Sequence, residues 1–251
     1  MEDRIAALIA EMTPDEKRAL IGGASFWYTH AIERLGVPVV KVTDGPNGSR
    51  GDGVLGTGTP TACIPSGASL GAMWDVDLVE RLGVLLGEEA GAKKAHVLLA
   101  PTVNLHRSPK GGRNFECFSE DPLLTGRLAA ALVRGVQSQG VATTTKHFVA
   151  NDSEFERHTI DARIDERTLR ETVLLPFEIA VKEGGAWGIM TAYNRLNGTY
   201  CSEHTWLLQD VLRGDWGFDG FVVTDWFAAG SAEGSVGRLL AGDARTRSLL
   251  R

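Results

Sequence analysis

Five short apolar runs, each ending in polar or charged residues and each separated from the next by a stretch with helical periodicity, set the architecture this chain can adopt. They are residues 37–43, 96–100, 141–149, 186–190 and 221–224. The runs are mostly apolar or β-branched rather than alternating apolar and polar. That pattern suits strands buried on both faces, as in a parallel sheet covered by helices. Between them the apolar residues recur at helical spacing, as in Leu78, Leu82, Leu85, Leu86 and Ala90. Strand, polar loop and helix in repetition imply parallel strands joined by right-handed crossovers. With 251 residues, 43% of them hydrophobic, and 30 glycines for tight connections, one α/β barrel or one doubly wound domain is the natural size. A sixth strand is expected near Cys63 to Leu70. A closed barrel of this type has eight strands, so the barrel reads as unfinished at its carboxyl end.

Local signals mark the helix boundaries. Thr13-Pro14-Asp15-Glu16 carries a capping box and a proline at the first helical position, so a helix starts at Pro14. Asp75 or Asp77 caps the helix that follows the Gly-, Ser-, Thr- and Pro-rich stretch of residues 49–72. Asp121-Pro122 caps the helix running through Val136. Asp165 caps another, with Ile164 and Leu169 placed as a hydrophobic staple, and Pro176 inside that pattern kinks it or ends its first half. Ser202 opens a further helix with Trp206, Leu207, Val211 and Leu212 on its apolar side.

Composition removes several classes of function. A net charge of -6 and a pI near 5.6 give no broad basic face, so no nucleic-acid partner is expected. Every apolar run is too short to span a membrane. The acidic start, Met1-Glu-Asp-Arg4, leads into an amphipathic helix without a basic segment and apolar core before it, which points to a cytoplasmic protein. Cys63, Cys117 and Cys201 are odd in number, widely spaced and never in a C-x-x-C pair, which fits reduced thiols rather than a disulfide framework or zinc knuckle. Six histidines show neither H-x-H nor H-E-x-x-H spacing. With no phosphate loop and no G-x-S-x-G elbow, no cofactor or metal is expected.

The polar residues that close the strands carry the chemistry. Asp44, Arg113 with Glu116, Lys146 with His147, Tyr193 and Asp225 lie at, or just beyond, five successive runs. Taken alone, Asp225-Trp226 reads either as a cap on the next segment or as a nucleophile or general base beside an aromatic platform. Residues 108–122, rich in charge and aromatics, read either as binding surface or as solvated rim. The recurrence is more telling than any one position. Polar groups at buried strand ends cost free energy unless they meet each other or a ligand. Asp, Lys, His and Arg together offer the donors and acceptors that a polyhydroxylated substrate needs.

Five ordered segments resemble the successive motifs of glycoside hydrolase family 3, especially its β-glucosidase branch. They are Thr43-Asp-Gly-Pro-Asn-Gly48, Gly112-Arg-Asn-Phe-Glu116 with Ser119-Glu-Asp-Pro122, Lys146-His-Phe-Val-Ala-Asn151, Met190-Thr-Ala-Tyr-Asn-Arg-Leu-Asn-Gly198 and Gly220-Phe-Val-Val-Thr-Asp-Trp226. The resemblance runs through about residues 8–228. It implies an α/β fold of the (β/α)8 TIM type, incomplete at its C-terminal end, and a retaining β-glycosidase acting on a β-glucoside or β-linked oligosaccharide. Asp225 matches the family nucleophile. Asp44, Arg113, Lys146, His147 and Tyr193 match the residues that hold the glycosyl unit, with Met190 and Trp226 lining it. Glu116, Glu154 and Arg157 match supporting positions, although Ser153 and Phe155 stand where the family has Gln and His.

Retention needs two carboxyl groups about 5 to 5.5 Å apart, one attacking and one protonating the leaving oxygen. In this family the acid/base usually comes from a second α/β sandwich domain after the barrel. The expected division is therefore residues 1–228 as barrel and 229–251 as an atypical tail, with that second domain absent. An alternative is a non-catalytic remnant that binds sugar weakly or needs a partner chain to fold. The branch acting on N-acetylglucosaminides is disfavoured, because no Gly-His-Gly run follows Lys146-His147.

Overall fold

The structure, a computed structural model, describes residues 2–53 and 58–228. Helices α1 (Glu2–Glu11) and α2 (Pro14–Ile21) come first, and the Thr13 capping box forms with both of its reciprocal hydrogen bonds. Strand β1 (Val42–Asp44) is shorter than the expected run, because residues 37–41 make only isolated bridges, Ile32 to Val37 and Tyr28 to Lys41. Pro38 lacks the amide a ladder needs, which accounts for the late start. Helices α3 (Gly67–Met73) and α4 (Val76–Ala92, capped by Asp75) follow, then β2 (Val97–Leu99). Helix α5 (Pro122–Gln137, capped by Asp121) leads to β3 (Ala142–Thr143) and β4 (Thr145–Phe148). The single run expected over residues 141–149 is thus divided at Thr144, with β3 pairing β2 and β4 pairing a later strand, Gly188–Thr191.

Beyond β5 (Asp161–Ala162), α6 (Glu166–Thr168), capped by Asp165, widens into a π-helical turn at Leu169–Val173 and continues as α7 (Leu175–Lys182). The break falls just before Pro176, which cannot donate the hydrogen bond an unbroken helix requires. Strand β6 (Gly188–Thr191), the β7–β8 hairpin (Arg195–Leu196 and Thr199–Tyr200), the π-helical segment Trp206–Asp215 and β9 (Phe221–Thr224) complete the described chain. The helix expected to open at Ser202 is one turn at Cys201–Glu203 followed, after a break, by that segment. The sixth strand expected near Cys63 is absent among the described residues. Residues 61–66 are irregular, and Ser66 instead caps α3.

The parallel strands succeed one another in chain order, β1-β2-β3 and β4-β6-β9, and a Thr102–Lys146 bridge adds a contact beside the β2 strand end. Side chains alternate between two apolar layers, as the two-residue period of a strand requires. Leu98, Ile189 and Val222 face the large core built with α4, α5 and α7, whereas Val97, Leu99, Ala142, Met190 and Val223 gather on the other face with Trp27 and Trp226. β4 and β6 are buried along their whole length, but Phe221 on β9 is 39% exposed. Among the described residues β9 pairs only with β6, and the sheet does not close into a barrel. The expected tail, residues 229–251, lies outside the described residues.

Candidate active site

Each polar group of the site leaves the carboxyl end of a parallel strand or the loop that follows it. Asp44 ends β1, Lys146 and His147 lie in β4, Tyr193 follows β6 and Asp225 follows β9. The Asp225 backbone N–H is held by the Thr191 carbonyl at 3.2 Å, which continues the β6–β9 ladder and aims the carboxylate at that end of the sheet. Arg113 and Glu116 reach the same place from the loop before α5. Helix α3 supports that loop from below. Its Gly67 and Gly71 pack so closely that a Cβ there would lie 2.2 Å from the Glu116 carbonyl oxygen and 1.9 Å from that of Phe118.

Around Asp225 the side chains form one connected network. Its Oδ2 is 3.4 Å from His147 Nε2, and the Tyr193 hydroxyl is near enough to the carboxylate to lower its pKa. His147 Nε2 is also 3.4 Å from Arg113 Nη1. Arg113 makes a bidentate contact with Glu116, 3.0 Å from Nε to Oε1 and 2.9 Å from Nη2 to Oε2, and approaches Glu154 at 3.8 Å. Glu154 accepts from Arg157 at 2.7 Å and from Asn151 at 3.0 Å, and the Arg157 guanidinium lies 4.7 Å from the centre of the Tyr193 ring. Lys146 Nζ donates to Asp44 Oδ1 at 2.8 Å. Trp226 stacks against Trp27 and Phe26 with ring centres 5.7 and 6.0 Å away, and Met190, 1% exposed, packs in the same apolar layer.

Burial and neighbouring charge sort the protonation states. Burial raises the Asp225 pKa above the ordinary carboxylate value, and the opposing pull of Lys146, Arg113 and the Tyr193 hydroxyl does not cancel it. For Asp44 burial again pushes upward, but Lys146, Arg50 and Arg113 outweigh it and hold the carboxyl below the ordinary range. Burial and three cations, Arg113, Lys146 and Arg157, keep His147 well below the usual imidazole value and so neutral. Burial and then the charge of Asp225 raise the Tyr193 phenol, which stays a donor. Burial also pushes the Cys117 and Cys201 thiols up to about 12, which rules them out as ready nucleophiles.

Thus the polar residues singled out in the sequence converge on one centre, with Met190 and Trp226 in the apolar layer beside it. Sequence reasoning missed Asn104, which clamps the His147 backbone, Arg50, 3.9 Å from Asp44, Asn151 on Glu154 and Thr102 on Glu116. Asn104 follows β2 as the other site residues follow their strands, and that position was the available signal. A separate cleft of about 420 Å³, lined by Tyr28, Lys41, Asp52, Lys93 and His96, opens where β1 and β2 begin, away from Asp225. Its Lys41 amine is already bound by Asp52 and the Lys93 carbonyl, so it offers no counterpart to the Asp225 network.

The sequence model for the glycosyl hydrolase family 3 N terminal domain matches residues 14–248. The chain belongs to that family. A β-glucosidase of Rhizobium radiobacter is 60% identical over 224 residues, which are 89% of this chain and 27% of the relative. The thermostable β-glucosidase B of Acetivibrio thermocellus is 50% identical over 230 residues, 89% of this chain and 30% of that protein. Among solved structures, the Kluyveromyces marxianus β-glucosidase superposes with a TM-score of 0.86 at 47% identity, covering 89% of this chain and 28% of its own. The β-glucosidase 3B of Thermotoga neapolitana, solved with α-D-glucose, gives 0.84 at 41%, covering 89% and 34%. This family 3 chain therefore spans little more than a quarter to a third of the relatives it matches.

Proposed function

We propose that this chain is the nucleophile-bearing part of a retaining β-glucosidase, with Asp225 attacking the anomeric carbon of a terminal β-D-glucosyl residue. The observation that carries the reading is the convergence on Asp225 of His147, Tyr193, Arg113 and Lys146, four groups from two further strands and one loop. An ionised, water-poor carboxylate is the form that forms a glycosyl ester, and the surrounding cations oppose the upward push that burial gives its pKa. Lys146 with Asp44, and Arg113 with His147, supply fixed partners for the sugar hydroxyls. Four structures of three relatives were solved with glucose.

The second carboxyl, needed as acid and base, comes from outside the described residues. Asp44 is held ionised by Lys146, and Glu116 and Glu154 are bound through both oxygens to Arg113, Arg157 and Asn151. Within this reading the sheet is a sector of a (β/α)8 barrel, residues 1–228 form the barrel part, and further chain completes both barrel and site. Among the described residues no strand pairs with the second edge of β9, and this favours that completion over a self-sufficient domain, because an open edge is a place where another strand adds. The test is glucose titration by calorimetry. Arg113→Met should weaken binding at least tenfold, about 1.4 kcal/mol. Equal binding by wild type and variant would place the sugar elsewhere.

A further inference from the structure

Asn104 sits one turn of chain beyond β2, 4% exposed, and its amide faces His147 in a single orientation. Its Nδ2 donates to the His147 carbonyl at 3.0 Å, and its Oδ1 accepts from the His147 backbone N–H at 2.9 Å. Turning the amide over would set donor against donor and acceptor against acceptor at both contacts, so the two backbone groups fix which end is oxygen. That same Oδ1 lies 3.3 Å from His147 Nδ1. An oxygen there favours the ring proton on Nδ1. On the other side of the ring, Nε2 meets an obligate donor, Arg113 Nη1, at 3.4 Å, and an obligate acceptor, the Asp225 carboxylate, at the same distance.

We infer that Asn104 is a positioning residue that fixes His147 as its Nδ1–H tautomer, so that Nε2 is a hydrogen-bond acceptor and Arg113–His147 reads a free sugar hydroxyl. The inference rests on the sugar-binding reading above. A hydroxyl donates one hydrogen bond and accepts others, so one hydroxyl can take the Arg113 N–H and give its own proton to Nε2. Lys146–Asp44 is built on the same plan, a donor beside an acceptor 2.8 Å apart. Fluorine or a methyl ether in place of that hydroxyl still accepts from Arg113 but leaves Nε2 unpaired. A site made to hydrogen-bond a hydroxyl rejects an analogue without it far more strongly than an apolar pocket does, because its own buried group is left without a partner. Neutrality of the imidazole, a consequence of its burial among cations, leaves the tautomer as the open choice that Asn104 makes.

Two measurements test this. Long-range 1H–15N correlation spectra of the sugar-free chain should show His147 Nδ1 with a pyrrole-type shift and Nε2 with a pyridine-type shift. The reverse pattern, or averaged shifts, in the wild type overturns the inference whatever the chain does with sugar. Asn104→Asp keeps an oxygen toward Nδ1 and should keep that pattern, whereas Asn104→Leu should lose it. Next, the monofluoro and mono-O-methyl glucose series is titrated against the wild type. One ring position should lose at least tenfold relative to glucose, and Asn104→Leu should narrow that ratio selectively. A ratio unchanged by Asn104→Leu contradicts the role of Asn104. Absence of any glucose binding by a chain with the expected tautomer counts against the proposed function instead.

Discussion

Breaking the Lys146–Asp44 pair by Lys146→Met should cost about 3 kcal/mol of folding stability at neutral pH. Unit charges 2.8 Å apart attract by about 6 kcal/mol at an effective dielectric of about 20. Much of that is offset by desolvation, and Asp44 keeps a 29% exposed side chain and Arg50 at 3.9 Å. Removing one partner of a buried pair costs about 3 to 5 kcal/mol, and partial exposure of the survivor selects the lower end. In a domain of this size that shifts Tm by about 6 to 12 °C. The sign with pH follows from the depressed Asp44 pKa. Its contribution is fully present above the unfolded carboxyl value of about 3.9 and fades as pH falls through the lower folded value. Urea unfolding followed by tryptophan fluorescence, on wild type, Lys146→Met, Asp44→Asn and the double variant, measures the coupling. The gap between wild type and Lys146→Met should be flat from about pH 5 to 8 and close in more acidic solution. Additive single effects, within about 0.5 kcal/mol, would refute the argument that the two charges stabilise each other.

Three further outcomes follow from the site. Because burial raises the Asp225 pKa, the acid limb of its reaction with an activated aryl glucoside should lie above the ordinary carboxylate range, and Lys146→Met, by removing a cation, should move it higher still; a pH–rate profile checks both directions. Gly71→Ala should destabilise the chain by about 1 to 3 kcal/mol despite its gain in helix propensity, since the added Cβ would sit 1.9 Å from the Phe118 carbonyl oxygen, and should weaken glucose binding by displacing the Arg113–Glu116 loop; thermal melts and calorimetry read the two effects. Tyr193→Phe removes the hydroxyl that lowers the Asp225 pKa and should slow glycosylation more than it weakens glucose binding, a split that single-turnover kinetics resolves.

Much of this arrangement was legible from residue order. A buried parallel strand is mostly apolar, so polar residues within its last few positions or just after it stand out, and Asp44, Lys146, His147, Tyr193 and Asp225 are marked in that way. Helix starts at Thr13, Asp121 and Asp165 were equally plain, because a cap works through a side chain and its own neighbours in sequence, and the start left open between Asp75 and Asp77 is at Asp75. What the sequence hid is what depends on distant partners. Cys63 to Leu70 has the short apolar pieces of a strand, but Ser66 caps a helix there, and Gly67 and Gly71 let that helix pack against the loop carrying Glu116. Asn104 looks like any polar residue in a loop until the His147 backbone is placed beside it, 43 residues later in the chain. The division of the third run at Thr144 is set by which neighbour each half pairs with, and no local pattern records that.

The central claim is that Asp225 is a nucleophile held in a formed glucose subsite. Incubation with a 2-deoxy-2-fluoro-β-glucoside bearing a dinitrophenolate leaving group tests it, because that group departs without protonation and the fluorine slows breakdown of the ester. Intact-mass spectrometry should show one fluoroglucosyl unit on the wild type and none on Asp225→Ala, with the label on the peptide containing Asp225. A cooperatively folded wild-type chain that stays unlabelled, or a label that persists in Asp225→Ala, would contradict it.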